Sequence, residues 1–305
     1  MCGIAGLFDI TGHQAFDRTL LHAMNQTQFH RGPDEGDEFL EPGVGLAHRR
    51  LSIIDLSSGQ QPMHSADGNL CVVYNGEIYN FGELAKELKA LGYQFRTRCD
   101  TEVILYSWQE WGEACVHRFR GMFAFALYDK RRQCLFVARD RLGIKPLYFS
   151  FIDGGTFAFG SELKVLKAHP GLPRKLEPQA IEDYFTLGYI PEPKTIYQGV
   201  YKLRPGHTLL VERGKPLPAQ YEYWDVPFAS ITTGSEEDLC DELFARMREA
   251  VDIRLVSEVP LGAFLSGGLD SSLVVYYMSK IMKEPVKTFS IGFEEKSFDE
   301  TPEAA

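Results

Sequence analysis

The sequence predicts an α+β domain of antiparallel sheet covered by helices, followed by the opening of an α/β domain with a parallel sheet. Three observations predict it. Short β-rich runs alternate with two or three helical stretches through residues 1–225. Composition changes after Tyr221-Glu222-Tyr223-Trp224-Asp225. A strand, a glycine-rich loop, a helix and a second strand then follow within 259–291. A chain of 305 residues is long for one core and suits two domains, 1–225 and 236–305, joined by a linker at 226–235.

Each element has a local cause. Residues 2–8 are apolar but for their glycines and read as a buried strand. Phe16, Leu20, Leu21 and Met24 fall at helical spacing, giving a surface helix over 16–26. His30-Arg31-Gly32-Pro33-Asp34 breaks it, and a strand at 44–48 follows, with apolar alternation resuming through His48-Arg49-Arg50-Leu51-Ser52-Ile53. Asn75-Gly76 sits between apolar runs at 70–74 and 77–79, a hairpin signal. Asn80 with Glu83 suggests a capping box for a helix over 82–91 closed by Gly92. Asp100-Thr101-Glu102 opens a helix that ends at Gly112. Strands are expected at 122–129, 134–140 and 147–151, a Pro-rich linker or strap at 169–179, and further strand within 196–211. Ser235 with Asp238 caps a helix bearing Leu239, Leu243, Met247, Ala250 and Val251 on one side. A strand at 259–265, a helix at 272–282 and a strand at 286–291 complete the pattern.

Bulk properties exclude several classes. The net charge of -10 argues against a nucleic acid or an anionic membrane as partner. The six cysteines show no CxxC and no Cys/His metal spacing, as expected of reduced thiols in a cytoplasm. No apolar run reaches about 18 residues, and the eight histidines form no zinc pattern.

Chemistry concentrates in a few stretches. In Met1-Cys2-Gly3-Ile4-Ala5-Gly6, loss of the initiator Met would leave Cys2 with a thiol and an α-amine on one carbon. Such an amine titrates at about 7.7–8.0 and can act as base for the thiol; the other reading is a buried small hydrophobe. Leu265-Ser266-Gly267-Gly268-Leu269-Asp270-Ser271-Ser272 lies between a buried strand and a helix start. There backbone N–H groups, the dipole and the hydroxyls suit a phosphate, with Asp270 as a Mg²⁺ ligand. A capped turn with a first-turn acid explains the same residues. Asn75 and Gly76 form either a hairpin turn or two oxyanion donors. Arg50 is a carboxylate clamp or a solvated charge beside Arg49, Asp100 an ammonium partner or a helix cap, and Glu77 an ammonium partner or a turn residue.

Taken in order, the Cys2 stretch, Arg31-Gly32-Pro33-Asp34, the His48–Ile53 string, Tyr74-Asn75-Gly76-Glu77-Ile78-Tyr79-Asn80, Asp100-Thr101-Glu102 and the Ser266 loop resemble glutamine-hydrolysing asparagine synthetases of the bacterial B type. Arg139-Asp140-Arg141-Leu142-Gly143-Ile144-Lys145-Pro146-Leu147-Tyr148 and Ser161-Glu162-Leu163-Lys164 match as well.

The resemblance implies an αββα sandwich of the N-terminal-nucleophile hydrolase class, then a PP-loop-like adenine-nucleotide domain. It implies Cys2 as nucleophile, Asn75 and Gly76 as oxyanion donors, and Arg50 on the glutamine carboxylate. Glu77 and Asp100 would take the ammonium, while Leu51 and Ile53 supply backbone contacts. Ser266, Gly267, Gly268, Leu269, Asp270, Ser271 and Ser272 would hold ATP with Mg²⁺, and Leu265 and Ile291 grip the adenine. Glutamine, aspartate and ATP are then the substrates. Ammonia from glutamine passes along an enclosed path to β-aspartyl-AMP, giving asparagine, AMP and pyrophosphate. A homodimer is compatible with this reading. The family's second domain is longer than 236–305, so a C-terminally incomplete chain, competent for the glutaminase half, is expected. An amidotransferase for another carboxylate and a non-catalytic nucleotide-binding regulator are the alternatives.

Overall fold

A computed structural model describes the protein except for residues 13, 153, 154, 229–232 and 305. The described residues form two compact units, Met1–Val226 and Pro227–Ala305. Residues 229–232, within the expected linker at 226–235, lie outside the described ones.

The first unit runs β1 (Gly3–Asp9), α1 (Arg18–Gln26), β2 (Glu35–Glu41), β3 (Val44–Arg50), β4 (Met63–His64), β5 (Leu70–Ile78), α2 (Phe81–Ala90), α3 (Asp100–Trp111), α4 (Cys115–Arg118), β6 (Gly121–Asp129), β7 (Cys134–Arg139), β8 (Tyr148–Ile152), β9 (Thr156–Gly160), α5 (Leu163–Lys167), α6 (Pro178–Leu187), β10 (Val200–Lys202), β11 (His207–Glu212) and β12 (Tyr221–Glu222). Its strands form two six-stranded sheets, β10-β8-β9-β1-β3-β2 and β12-β11-β7-β6-β5-β4, antiparallel throughout.

Strand alternation sorts the apolar residues into three cores. Ile4, Phe8, Val44 and Leu46 of the first sheet meet Cys71, Val73, Ala124 and Ala126 of the second between the sheets. The opposite parity faces outward. Ala5, Leu7 and Ala47 pack under α1 and α5, and Val72, Tyr74, Phe123 and Phe125 under α2 and α3. The result is the helix–sheet–sheet–helix sandwich that the sequence implies.

Differences from expectation have local causes. Asn75-Gly76 is no hairpin: β5 runs straight through it, paired with β6 from Leu70↔Asp129 to Ile78↔Gly121. Asn80 forms no capping box, since its side chain bridges Arg118 O and the Arg120 N–H instead. After Arg50 the chain leaves the sheet, so 51–53 is not strand.

In the second unit α7 (Glu236–Asp252) starts at the expected Ser235/Asp238 capping box, an arrangement worth about 1 kcal/mol. Of its apolar stripe only Val251 is buried, beside Tyr277 and Met278. β13 (Gly262–Phe264) and β14 (Lys287–Phe289) pair in parallel across α8 (Leu269–Ile281), and α9 (Thr301–Ala304) closes the described chain. Helix α8 begins at Leu269, three residues before the expected start, because Ser272 N already bonds to Gly268 O.

Candidate active site

Cys2 continues the parity of Ile4 and Phe8, which turns its side chain toward the space between the sheets, at one end of β1. The backbone there is fixed from several directions. Ile4 N–H donates to Ser161 Oγ at 2.9 Å, Ser161 N–H donates to Ile4 O at 2.9 Å, and Arg31 Nε donates to Cys2 O at 2.9 Å. The sulfur accepts from Leu51 N at 3.4 Å and donates to Leu51 O at 3.7 Å. Burial pushes the Cys2 thiol up, and it pushes the neighbouring α-amine, carried here by Met1, down.

Asn75 and Gly76 lie across the gap on β5. Asn75 shares the inward parity of Cys71 and Val73, is 1% exposed, and its Nδ2 has no hydrogen-bond partner among the described residues. Gly76 is fixed by the edge of the sheet. On that side Tyr74 N–H donates to Gln61 Oε1 at 2.7 Å and Ile78 N–H to Asp100 Oδ2 at 3.0 Å. Alternation points the Gly76 N–H the same way, between those two. A Cβ at Gly76 would lie 2.3 Å from Met122 O, so the close pairing with β6 demands glycine. Cys2, Asn75 and Gly76 line one cleft of about 190 Å³.

The remaining predicted residues share that cleft. Arg50 is not a solvated charge; it is 4% exposed, with Nη1 on Glu35 at 3.1 Å and Nη2 on the carbonyls of Asp55 at 2.7 Å and Ile54 at 3.2 Å. Asp100 is not the cap of α3, a position held by Cys99. Its Oδ2 accepts from Tyr74 Oη at 2.7 Å and from the Ile78 N–H, while burial raises its pKa. Leu51, Ile53 and Glu77 complete the wall. The cleft thus brings cationic and carboxylate side chains together with a thiol and two N–H donors.

Sequence reasoning gave no role to Gln61, Thr101 or Lys145, which also line the cleft. Gln61 spans Tyr74 N and Thr101 Oγ1, bracing β5 against α3. Buried His48 gives the sheets a polar tie: its Nε2 lies 3.0 Å from Tyr74 O, and burial drives its pKa down to about 3, leaving the ring neutral.

In the second unit Leu265, Ser266 and Ile291 line a single cavity of about 260 Å³ at the carboxyl ends of β13 and β14. Ser266 Oγ meets Ser271 Oγ at 3.0 Å, and Gly268 N–H donates to Ser266 Oγ at 3.4 Å, which orders the loop before α8. Gly267, at φ +79, occupies the left-handed region and packs on Glu303, where a Cβ would come within 2.4 Å. At Gly268 a Cβ would meet only Ser266 Oγ, so that side stays open to a ligand. Leu269, Asp270 and Ser272 sit on the first turn of α8, outside the cavity lining. The described residues hold no cluster of three metal-ligating side chains. Asp270, on the first turn of α8, is the carboxylate that this loop offers.

Residues 1–224 match the family model for a glutamine amidotransferase domain, and residues 242–305 that for asparagine synthase. The chain is 38% identical over 304 residues to asparagine synthetase (glutamine-hydrolyzing) 3 of Bacillus subtilis (strain 168), covering 97% of this chain and 48% of that protein. It is 40% identical over 325 residues to putative asparagine synthetase (glutamine-hydrolyzing) 2 of Methanocaldococcus jannaschii, covering 99% and 61%. The chain thus spans about half the length of the curated relatives it matches. In fold it is similar to glutamine phosphoribosylpyrophosphate amidotransferase from B. subtilis, with a TM-score of 0.52 at 15% identity over 97% of this chain and 68% of that one. No helix among the described residues is long and apolar enough to cross a membrane.

Proposed function

This chain belongs to the family of glutamine amidotransferase domains through residues 1–224, and on that premise we propose that its first unit hydrolyses glutamine with Cys2 as an N-terminal nucleophile. The observation that carries this reading is the buried, unpartnered Asn75 amide lining the same cleft as the Cys2 thiol. A buried donor left unpaired costs about 1–3 kcal/mol, and a transient oxyanion relieves that cost only during the reaction.

Removal of Met1 frees the Cys2 amine, which takes the thiol proton. The sulfur attacks the side-chain carbonyl carbon, and charge develops on oxygen facing Asn75 Nδ2 and the Gly76 N–H. The carbon–nitrogen bond breaks as the amine returns the proton to leaving ammonia, and water cleaves the thioester to glutamate. Arg50 pairs with the α-carboxylate; Asp100 and Glu77 take the α-ammonium. Buried Asp100 gains most from such a partner, since burial alone disfavours its charge.

We further propose that in the whole protein the ammonia amidates β-aspartyl-AMP, giving asparagine. The match of 242–305 to the asparagine synthase model and the named relatives support this reading. Ser266, Gly267, Gly268, Leu269, Asp270, Ser271 and Ser272 would receive ATP phosphates, with Leu265 and Ile291 against the adenine. Mg²⁺, when bound, neutralises phosphate charge, and Asp270 is the side chain that would hold it.

Glutamate release from glutamine tests the first half. Wild-type protein should hydrolyse glutamine and Cys2→Ala should not. Arg50→Lys should raise KM by about tenfold or more, since Lys lacks the planar fork. An unchanged KM removes Arg50 from the site.

A further inference from the structure

Tyr74 is anchored at each of its polar groups. Its N–H donates to Gln61 Oε1 at 2.7 Å, and its carbonyl lies 3.0 Å from His48 Nε2. The buried ring shares the outward parity of Val72 and Ile78, and it packs so closely on Gly76 that a Cβ there would lie 2.7 Å away. At the tip of the ring the hydroxyl donates to Asp100 Oδ2 at 2.7 Å. Burial and the neighbouring carboxylate push this hydroxyl up, so it stays a donor.

Asp100 depends on that bond more than a surface carboxylate would. It is 4% exposed, and burial favours its neutral form, which forms no ion pair with an ammonium. Tyr74 Oη and the Ile78 N–H both donate to Oδ2, and each bond stabilises the charged form. Oδ1 accepts from the Cys99 thiol at 3.4 Å, a weak donor, and so keeps lone pairs for a ligand. Tyr74 is thus a strut between β5, which carries Asn75 and Gly76, and the first turn of α3, which carries Asp100. All four residues line the Cys2 cleft.

We propose that Tyr74 is a positioning residue that sets specificity for the α-ammonium of glutamine, its hydroxyl holding the Asp100 carboxylate in place to receive that group. The proposal rests on the reading of Asp100 as the ammonium partner. The other donors to Asp100 differ in kind. The Ile78 N–H is fixed by the β5 backbone, and a thiol is a weak donor. The Tyr74 bond is a charge-assisted O–H bond, the short and strong class. Because the ring rests on Gly76, one rigid side chain sets the spacing between the oxyanion donors and the ammonium partner. A substrate with an amide at one end and an ammonium at the other must match that spacing. Tyr74 takes no part in the proton exchange between Cys2 and its amine, so it bears on binding and not on the chemical step.

The test is a mutant cycle on glutamine hydrolysis by the full chain. Tyr74→Phe keeps the ring on Gly76 and removes the hydroxyl. It should raise KM for glutamine about tenfold, with kcat within about twofold of wild type. In an Asp100→Asn background the same substitution should change kcat/KM by less than about twofold, since its partner is already uncharged. Glutaramate, which is glutamine without its α-amine, gives a second readout as a competitive inhibitor. Its Ki should be the same in wild type and Tyr74→Phe. A wild-type KM in Tyr74→Phe would overturn the proposal. So would an equal loss in both backgrounds, or a glutaramate Ki raised as far as the glutamine KM, either of which makes Tyr74 a packing residue. A Tyr74→Phe chain that no longer melts cooperatively would do the same, because the hydroxyl would then serve the fold. The underlying reading fails separately: Asp100→Asn with the KM of wild type would remove Asp100 as the ammonium partner.

Discussion

Asn75 carries two incompatible signals, and neighbouring residues decide between them. Asn-Gly alone favours a tight turn. Here apolar side chains continue at Ile78, and β6 offers a pairing partner along the whole stretch, so strand wins. The amide then faces inward without a partner. Asn75→Ala should lower glutamine turnover by about 10²–10³-fold with little change in KM. Unchanged turnover with a lower melting temperature would leave Asn75 structural. His48 makes a pH prediction. Its folded pKa, near 3, lies below the unfolded value of about 6.5. Stability tied to the neutral ring is therefore complete above pH 6.5 and is lost as pH falls toward 3, by up to about 1.4 kcal/mol per unit. Denaturant titrations across that window should show the slope in wild type and a flatter one in His48→Gln. An imidazole titrating near 6.5 in the folded protein would contradict this.

Elements with a strong period were legible, and those without one were not. β1, β6 and β7 follow from their apolar pattern, and α3 ends at Gly112 as expected although its cap is Cys99 and not Asp100. β2 escaped because Glu35-Gly36-Asp37-Glu38 carries no apolar face; its strand character comes from pairing with β3 at the sheet edge. The apparent strand after Arg50 failed for the opposite reason. The Arg50 guanidinium captures the carbonyls of Ile54 and Asp55 and folds the chain back. The 140–145 loop shows the same logic: the buried Asp140 carboxylate accepts from the N–H groups of Phe123, Leu142, Ile144 and Lys145 in place of ladder bonds. Asp140→Asn removes two acceptor sites and turns an amide toward N–H donors, so unfolding free energy should fall by about 2–4 kcal/mol. A change under about 0.5 kcal/mol would mean that the loop holds itself.

At the scale of the whole molecule the site is a consequence of register. Cys2 and Arg50 share the inward parity of the first sheet, and Asn75 and Glu77 that of the second, so the motifs converge where the two inner faces end. The sequence supplied the identities of these residues through the family resemblance. It could not supply Lys145, which lines the same cleft from the connection between β7 and β8 and belongs to no local period. The most direct test of the account is mass mapping of the N-terminal peptide after acid quench of the protein turning over glutamine. The account predicts a peptide that begins at Cys2 and carries a γ-glutamyl thioester on its sulfur. Glutamate release from a chain that retains Met1, or with no adduct at Cys2, would contradict it.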